Sequence, residues 1–313
     1  MKDYFVRSLS SSGGVRVMAC TTAETTREIC QLQQSSLTAS IALGRGIAAG
    51  ALMGALLKDG QRVALKFEGN GPLKRMIVEA DSDGALRAYA AVPEAEIEPL
   101  DNRWNVPGLL GRAGFLTVSK DLGMGGEPYQ GMVQLRSSEI GDDLAYYLAD
   151  SEQIPSAVGL GAQMDTSGKI SDCGGFLVQA LPQALEGEIE LIMENIVSLP
   201  PLTDLLRDGG PKLLLERLYG DISYNLLEER EVYFRCGCSR IKSKQALLML
   251  GPAELVEMVE KENGAEVVCE FCRQFYHFDR DEVLKMANGR KKSKNKNNDS
   301  KTYKNSANNK NNN

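Results

Sequence analysis

Residues Arg62–Ala90, RVALKFEGNGPLKRMIVEADSDGALRAYA, decide the fold class of this chain. They contain three short runs of strand-forming residues, separated by Gly69-Asn70-Gly71 and by Asp81-Ser82-Asp83-Gly84. Glycine and Asn/Asp clusters between such runs are typical of the tight turns that join antiparallel strands. The stretch therefore predicts antiparallel strands connected by hairpins.

The same texture extends over the first 181 residues, with helices set apart from the strands. Hairpin-joined strands with segregated helices indicate an α+β fold, here a mixed helix and antiparallel-sheet core domain over residues 1–181. The further predicted elements are helices within Gln31–Lys58 and over Gly141–Asp150, and strands at 114–121, 131–137, 157–164 and 174–181.

Three glycines recur at four-residue spacing in the first predicted helix. Gly46, Gly50 and Gly54 would line one helix face and permit close approach of another element. The run Gly44–Gly50 superficially suggests a phosphate loop and hence a nucleotide-using enzyme. It does not match G-x-x-x-x-G-K-[ST] and no strand precedes it, so glycine packing is the better interpretation.

Residues 182–230 have a different pattern and are predicted to be a helical linker. Pro200-Pro201 and Gly209-Gly210-Pro211 punctuate two short helices, Leu202–Arg207 and Lys212–Tyr219. Helices this short are not stable alone, so they must dock on something. A preceding amphipathic helix is indicated by an apolar stripe at Leu185, Ile189, Ile192, Met193 and Ile196.

Residues 231–289 form a small predicted module, and 290–313 a tail. The module shows helices at Ser243–Leu250 and Pro252–Glu262, a strand at 265–269 and a last helix from Asp279 through Met286. The Asn/Lys-rich tail has no apolar pattern and is predicted to be disordered.

Charge and hydropathy place the chain among soluble proteins inside the cell. The 313 residues carry a net charge of −6, and because residues 290–313 contribute +7, residues 1–289 carry −13. An acidic body argues against a nucleic-acid-binding surface. No secretory signal is visible, and the apolar run Gly46–Leu57 is shorter than the roughly 20 residues that a membrane span needs. We expect a cytoplasmic protein without a membrane partner.

Four of the seven cysteines form two close pairs. Cys236-Gly-Cys238 and Cys269-Glu-Phe-Cys272 are separated by thirty residues, a spacing that lets four thiolates meet around one tetrahedral zinc ion. Metal binding would then supply much of the folding free energy of so small a module. The remaining three, Cys20, Cys30 and Cys173, are expected in the apolar core of the first domain.

The site does not have the composition of a catalytic centre. Four thiolates complete a zinc tetrahedron and leave no position for water, so zinc hydrolysis is not expected. His277, the only histidine, is either a competing ligand or, as we prefer, part of the aromatic run Phe275–Phe278. We therefore expect a protein that is not an enzyme.

Two roles for the zinc site remain open from the residues alone. A structural ribbon usually spaces its ligand pairs by two to four residues, whereas Gly237 alone separates Cys236 from Cys238. A disulfide between these two would need a tightly turned backbone and would be strained and labile, as in regulatory disulfides. The neighbouring basic residues are expected to favour reactive thiolates, and they are Arg235, Arg240, Lys242 and Arg273.

The sequence up to about residue 288 resembles the 33 kDa chaperonin family of bacterial redox-regulated heat-shock proteins. The C-x-C…C-x-x-C pattern carries the resemblance, together with Arg103–Gly131, Ser151–Ala162 and Cys173–Pro182. This resemblance implies an α+β core domain, a helical linker and a C-terminal zinc module. It also implies ATP-independent binding of unfolded client proteins, and a homodimer in the active form.

The resemblance further implies a mechanism. One zinc ion per chain is held by the four reduced cysteines, and oxidation forms the disulfides Cys236–Cys238 and Cys269–Cys272. The metal is released, the module unfolds, and the linker exposes apolar side chains such as Leu185, Ile189, Ile192 and Ile196. The alternative is a constitutive zinc-ribbon module that binds nucleic acid, through the +7 tail, or a protein partner in the reduced state.

Overall fold

The structure is a computed structural model, and it describes residues 2–288. The predicted disordered tail at 290–313 lies outside the described residues. The chain divides into two compact units, Met1–Cys236 and a second that starts at Gly237. The finer predicted division at residues 181, 230 and 289 stays a prediction.

The first unit contains a five-stranded antiparallel sheet. Its strands run in the order β10-β1-β2-β9-β8. The chain order differs, because β8 and β9 form a hairpin on one side of β2 while β10 returns to pair with β1 on the other. The strands are β1 (Tyr4–Ser10), β2 (Val15–Thr21), β8 (Ser156–Met164), β9 (Ile170–Ala180) and β10 (Tyr224–Glu231).

A six-stranded sheet completes the strands of the first unit, in the order β11-β5-β4-β3-β6-β7. The predicted hairpins of residues 62–90 are its centre, with Phe67 opposite Met76 and Val78 opposite Ala88. Only β11 pairs in parallel, along β5. The strands are β3 (Arg62–Gly69), β4 (Arg75–Asp81), β5 (Ala85–Ala90), β6 (Gly114–Asp121), β7 (Tyr129–Gln134) and β11 (Tyr233–Phe234). This arrangement confirms the predicted α+β class.

Four helices pack with the two sheets, and one of them forms the centre of the core. They are α1 (Ala23–Gln33), α2 (Leu37–Gly54), α3 (Val106–Leu110) and α4 (Ile140–Asp150). A Cβ atom added at Gly50 of α2 would lie 2.6 Å from Val78 Cγ1, and one at Gly46 would lie 2.7 Å from Met76 Cε. These glycines let α2 approach β4 closely, as the spacing predicts.

Helix α2 is longer than the apolar run Gly46–Leu57, whose length was the argument against a membrane span. Because it begins at Leu37, its 18 residues are long and apolar enough to cross a bilayer by length and composition alone. Of its residues, 89% are buried. Burial of this kind is that of a core helix, since a lipid-facing helix would keep its apolar side chains outside.

The segment predicted as a helical linker is helical only as far as Tyr219. Helices α5 (Glu186–Ser198) and α6 (Leu202–Tyr219) lie against the first sheet, and α6 breaks at Gly210, whose φ is 67°. Residues 224–231 are strand β10 instead of helix, because they find hydrogen-bonding partners along β1.

The apolar stripe of α5 is divided between two environments. Ile192 is buried and packs with Val15, Val17 and Leu214, and Ile196 is partly buried against the same cluster. Leu185, Ile189, Met193 and Val197 are exposed. The stripe identified in the sequence is therefore only partly covered in this structure.

The second unit is small. Its elements are α7 (Arg240–Leu247), α8 (Pro252–Glu262), β12 (Gly264–Val268), β13 (Phe275–Asp279) and a helix α9 at residues 280–288. Asp279 caps α9 by accepting from Glu282 N at 2.9 Å, and the Glu282 side chain accepts from Asp279 N at 3.1 Å. The described core has eight buried residues, namely Leu247, Leu255, Val259, Ala265, Phe278, Val283, Met286 and Ala287.

Candidate metal centre

The two cysteine pairs meet at one place. The sulfur atoms of Cys236, Cys238, Cys269 and Cys272 all lie within 4.8 Å of one another, and each residue is half-buried. Cys238 Sγ and Cys272 Sγ, from different pairs, are 3.3 Å apart. A convergence of two pairs that are thirty residues apart places four potential ligands around a single point.

A tight turn between β12 and β13 positions the second pair. Arg273 N donates to Cys269 O at 2.8 Å, and Cys269 N donates to Gln274 O at 2.9 Å. Arg273 takes a left-handed conformation, with a φ of 58°. The chain thereby reverses within a few residues, which brings Cys272 back to the side of Cys269.

The first pair lies between strand β11 and helix α7. Arg235 N donates to Leu86 O at 3.0 Å, so the chain is still anchored to β5 one residue before Cys236. Ser239, one residue after Cys238, caps α7 by accepting from Lys242 N at 3.3 Å. Gly237 O accepts from Lys242 Nζ at 2.6 Å. The short Cys-Gly-Cys segment is thus held on both sides.

Tyr276 is a neighbour of the site that the sequence analysis missed. Its hydroxyl lies 3.0 Å from Cys238 Sγ. The hydrogen bond with Cys238 is the main cause that raises the pKa of Tyr276 to about 12, with further contributions from desolvation and from the other cysteine sulfurs. The only sequence signal for this role is the strand period, which places Tyr276 on the same face of β13 as the buried Phe278.

His277 lies on the other face of β13. Successive side chains alternate along a strand, so His277 points away from the side that carries Tyr276. Its side chain is exposed, and it is not part of the ligand group found among residues 2–288. Its carbonyl oxygen accepts from Arg240.

Three of the four basic residues near the cysteines are paired with carboxylates, whereas Lys242 donates to Gly237 O. Arg235 contacts Asp83 at 2.8 Å, Arg240 contacts Glu282 at 2.6 Å, and Arg273 contacts Glu270 at 3.3 Å. Each carboxylate offsets much of the positive potential of its partner. The expected effect of these residues on thiolate reactivity stays a prediction.

The geometry and the donor chemistry suit a single thiophilic ion. Zinc–sulfur bonds of about 2.3 Å at tetrahedral angles would place the sulfurs about 3.8 Å apart, which is within the 4.8 Å limit found here. Four sulfur donors are typical of a closed structural zinc site. The cluster is therefore suited to hold a metal ion.

The other three cysteines lie in the first unit, as expected. Cys20 and Cys173 are fully buried, and Cys30 is half-buried. Burial raises the pKa of the Cys173 thiol to about 12 and raises the pKa of Cys20 and Cys30 as well. A raised pKa keeps these thiols protonated at neutral pH, which makes them poor nucleophiles.

Comparison with known proteins extends the resemblance to almost the whole chain. A family model described as Hsp33 protein matches residues 3–279. A 33 kDa chaperonin from Pelobacter propionicus is 66% identical over 287 residues, 92% of this chain and 94% of the relative. A 33 kDa chaperonin from Geobacter sulfurreducens is 48% identical over 285 residues, 91% of this chain and 94% of the relative.

A solved structure agrees with the fold. The crystal structure of the 33 kDa chaperonin, a heat shock protein 33 homologue, from Thermotoga maritima superimposes with a TM-score of 0.85 at 34% sequence identity. The match covers 93% of this chain and 99% of the other. Relatives named as chaperonins support a chaperone function. Chaperones as a class generally do not catalyse a reaction. The chain belongs to the Hsp33 family.

Proposed function

We propose that this protein is a redox-regulated, ATP-independent chaperone that holds unfolding proteins in the cytoplasm. The observation that carries the proposal is the convergence of four cysteine sulfurs within 4.8 Å. Three of these cysteines belong to the second unit, whose described core has eight buried residues, and Cys236 is the last residue of the first unit. The chaperone activity is proposed because the relatives are named 33 kDa chaperonins. The cysteine cluster supplies the means to control it.

In the reduced state, Cys236, Cys238, Cys269 and Cys272 hold one Zn²⁺ per chain. The bound ion supplies folding free energy to the second unit, on the order of 10–16 kcal/mol in small zinc domains. The Tyr276 hydroxyl lies at hydrogen-bonding distance from the Cys238 sulfur, and because a metal-bound thiolate carries no proton, the hydroxyl would be the hydrogen-bond donor. A donor of this kind orients the ligand and stabilises its negative charge.

Oxidation removes the ligands. One peroxide molecule takes two electrons from a cysteine pair, so that one S–S bond forms through a sulfenic acid and two water molecules are released. We propose the pairs Cys236–Cys238 and Cys269–Cys272, on the resemblance to the family. The 3.3 Å approach of Cys238 to Cys272 makes a cross-pair disulfide the competing product.

Loss of the ligands destabilises the second unit, and we propose that the linker then changes as well. Leu185, just before α5, and Ile189 and Met193 of α5 are exposed in the structure, whereas Ile192 packs with residues of the first sheet. Release of α5 from the first sheet would expose the apolar face that includes Ile192, in addition to the side chains that are already exposed. A larger continuous apolar patch binds unfolded segments of other proteins, and the oxidised protein is proposed to act as a homodimer.

The experiment combines two measurements on one sample of the full chain. Zinc release after peroxide is followed with a chromogenic chelator, and light scattering follows a heat-denaturing client before and after treatment. We expect one zinc per chain to be released together with suppression of client aggregation. The Cys30→Ser variant, which removes a thiol outside the cluster, is expected to behave as the wild type.

Two results would contradict the proposal. Zinc release without any protection of the client would favour the structural-ribbon alternative. Protection by a protein whose second unit stays folded and metal-loaded would separate the activity from the cysteines. Peptide mapping of the oxidised protein then decides between the proposed disulfides and the Cys238–Cys272 cross-pair.

A further inference from the structure

A cavity of about 600 Å³ lies in the first unit, beside residues 103–112. These residues belong to the Arg103–Gly131 stretch that carries part of the family resemblance, but the redox mechanism does not use them. The volume is within the range of small-molecule sites, roughly 300–1,000 Å³. Its lining includes both apolar and positively charged residues.

Short, well-fixed backbone segments form the walls. Leu100 and Arg103 exchange two backbone hydrogen bonds of 2.9 Å across a two-residue turn. The two turn residues, Asp101 and Asn102, have φ values of 50° and 57°, as a type I′ turn requires. Asn105 Oδ1 accepts from Gly108 N at 2.9 Å and fixes the following segment. The cavity is therefore built in advance of any ligand.

Two of the lining residues are arginines, Arg103 and Arg112. Within residues 2–288, neither Arg103 nor Arg112 makes an ion pair or a side-chain hydrogen bond, although both line the cavity. The carboxylates on the walls are Asp101 and Glu139, and Glu139 is bound to Arg45 at 2.7 Å. Because Arg45, which does not line the cavity, neutralises Glu139, the remaining charges of Arg103, Arg112 and Asp101 sum to +1, which suits a ligand with a single negative charge.

The apolar lining residues are Trp104, Leu100 and Pro107. Trp104 is half-buried and is the only tryptophan of the chain. Leu100 is 60% exposed and lies in an exposed stretch, residues 98–103. An indole ring beside an exposed leucine and a proline offers a surface on which a planar apolar group can stack.

We propose that this cavity binds a small carboxylate with a planar apolar body. The carboxylate would contact Arg103 and Arg112, whose guanidinium groups have the planar geometry that carboxylates fit. The apolar body would lie against Trp104 and Leu100. Binding of such a ligand is a property separate from the holding of unfolded proteins.

The test uses the full, zinc-loaded chain and the fluorescence of Trp104, with calorimetry as a second readout. Phenylacetate is the probe, phenylacetamide is its uncharged counterpart, and acetate lacks the apolar body. We expect phenylacetate to bind and to change the emission of Trp104. The affinities of phenylacetamide and acetate are each expected to be at least about tenfold lower, because each lacks one of the two contacts.

Variants locate the site. Arg103→Gln and Arg112→Gln are each expected to reduce phenylacetate affinity about tenfold or more. Both residues are exposed, so the fold should be retained, which far-UV circular dichroism checks. Arg217→Gln changes an exposed arginine of α6 that does not line the cavity and should leave binding unchanged.

Three outcomes would overturn the proposal. One is the absence of both a fluorescence change and a heat of binding with phenylacetate at millimolar concentration. Another is equal binding of phenylacetate and phenylacetamide, since the arginines would then play no part. The third is unchanged affinity in both cavity variants.

Discussion

The two units of this chain reach a folded state by different means. In the first unit, two sheets and α2 bury a continuous apolar core that includes Phe67, Ile47 and Leu65. In the second unit, the core described within residues 237–288 consists of eight buried residues. Because ordering each residue costs about 1.5 kcal/mol, so small a core cannot offset the ordering of this segment by itself. We therefore expect folding of the second unit to depend on the metal ligands more than on its apolar core.

Removal of one ligand tests this difference most strongly. The Cys238→Ser variant should lose zinc and leave residues 237–288 unfolded, because an ion that supplies roughly 10–16 kcal/mol is no longer held. The first unit should keep its hydrogen-exchange protection. Amide exchange read by mass spectrometry measures both units in one experiment, with Cys30→Ser as the control. Protected amides in the second unit of Cys238→Ser would show that its core suffices.

The first unit, in contrast, should be sensitive to packing. Gly50→Ala places a Cβ atom 2.6 Å from Val78 Cγ1, and we expect it to lower the free energy of unfolding by about 2 kcal/mol. Gly187→Ala is the matched control in α5, since its added Cβ atom meets nothing within 4 Å. It should be neutral or slightly stabilising, because alanine favours helix. Urea midpoints of the first-unit transition measure both, and equal effects would contradict the close approach of α2 to β4.

The hairpins of residues 62–90 and the cysteine cluster were predictable because their signals are local. Turn residues fix Arg62–Ala90, and the spacing of the cysteines does not depend on the rest of the fold. Strand β10 was not predictable in this way. Its sequence, YNLLEERE, has strongly charged residues and is largely exposed, and it becomes a strand because β1 offers hydrogen-bonding partners. Local propensity cannot report a partner that lies more than two hundred residues away.

The side chains that surround the cysteines could not be predicted from the sequence either. The four arginines and lysines near them suggest positive potential, but Asp81, Asp83, Glu270 and Glu282 lie close enough to pair with the arginines. Only the folded structure shows these pairings, which join residues as far apart as Asp81 and Arg235. The contact of Tyr276 with Cys238 has the same origin, since the turn after Cys269 determines which side of β13 faces the ligands.

Tyr276 gives a smaller test of the second unit. Tyr276→Phe removes the hydroxyl group 3.0 Å from Cys238 Sγ and should lower zinc affinity about tenfold, about 1.4 kcal/mol, as is typical for partners that orient a metal ligand. Competition with a chromogenic chelator measures the affinity. Phe275→Leu, on the neighbouring exposed position of β13, should leave it unchanged. Unchanged affinity in Tyr276→Phe would mean that the hydroxyl does not support the site.

The smallest expected effect concerns the ion pairs just before the first cysteine pair. Partial burial disfavours ionisation of Asp81, but hydrogen bonds from Arg62 and Arg235 outweigh it and hold the pKa of this carboxyl below its usual range. Because the folded-state pKa is lowered, the stabilisation is present above the ordinary aspartate pKa and is lost as the pH falls through the lowered value.

Asp81→Asn should therefore destabilise the first unit at pH 7 by about 0.5–1 kcal/mol, a modest value because the pairs are partly exposed to solvent. Near pH 3 the difference from the wild type should shrink. Urea unfolding of the first unit at the two pH values measures it, and the zinc content at pH 7 should stay at the wild-type level. An equal loss at both pH values would mean that Asp81 acts through packing instead of charge. A loss of zinc at pH 7 would mean that the anchoring of Arg235 is needed to hold Cys236 in place, and the second unit would then depend on the first.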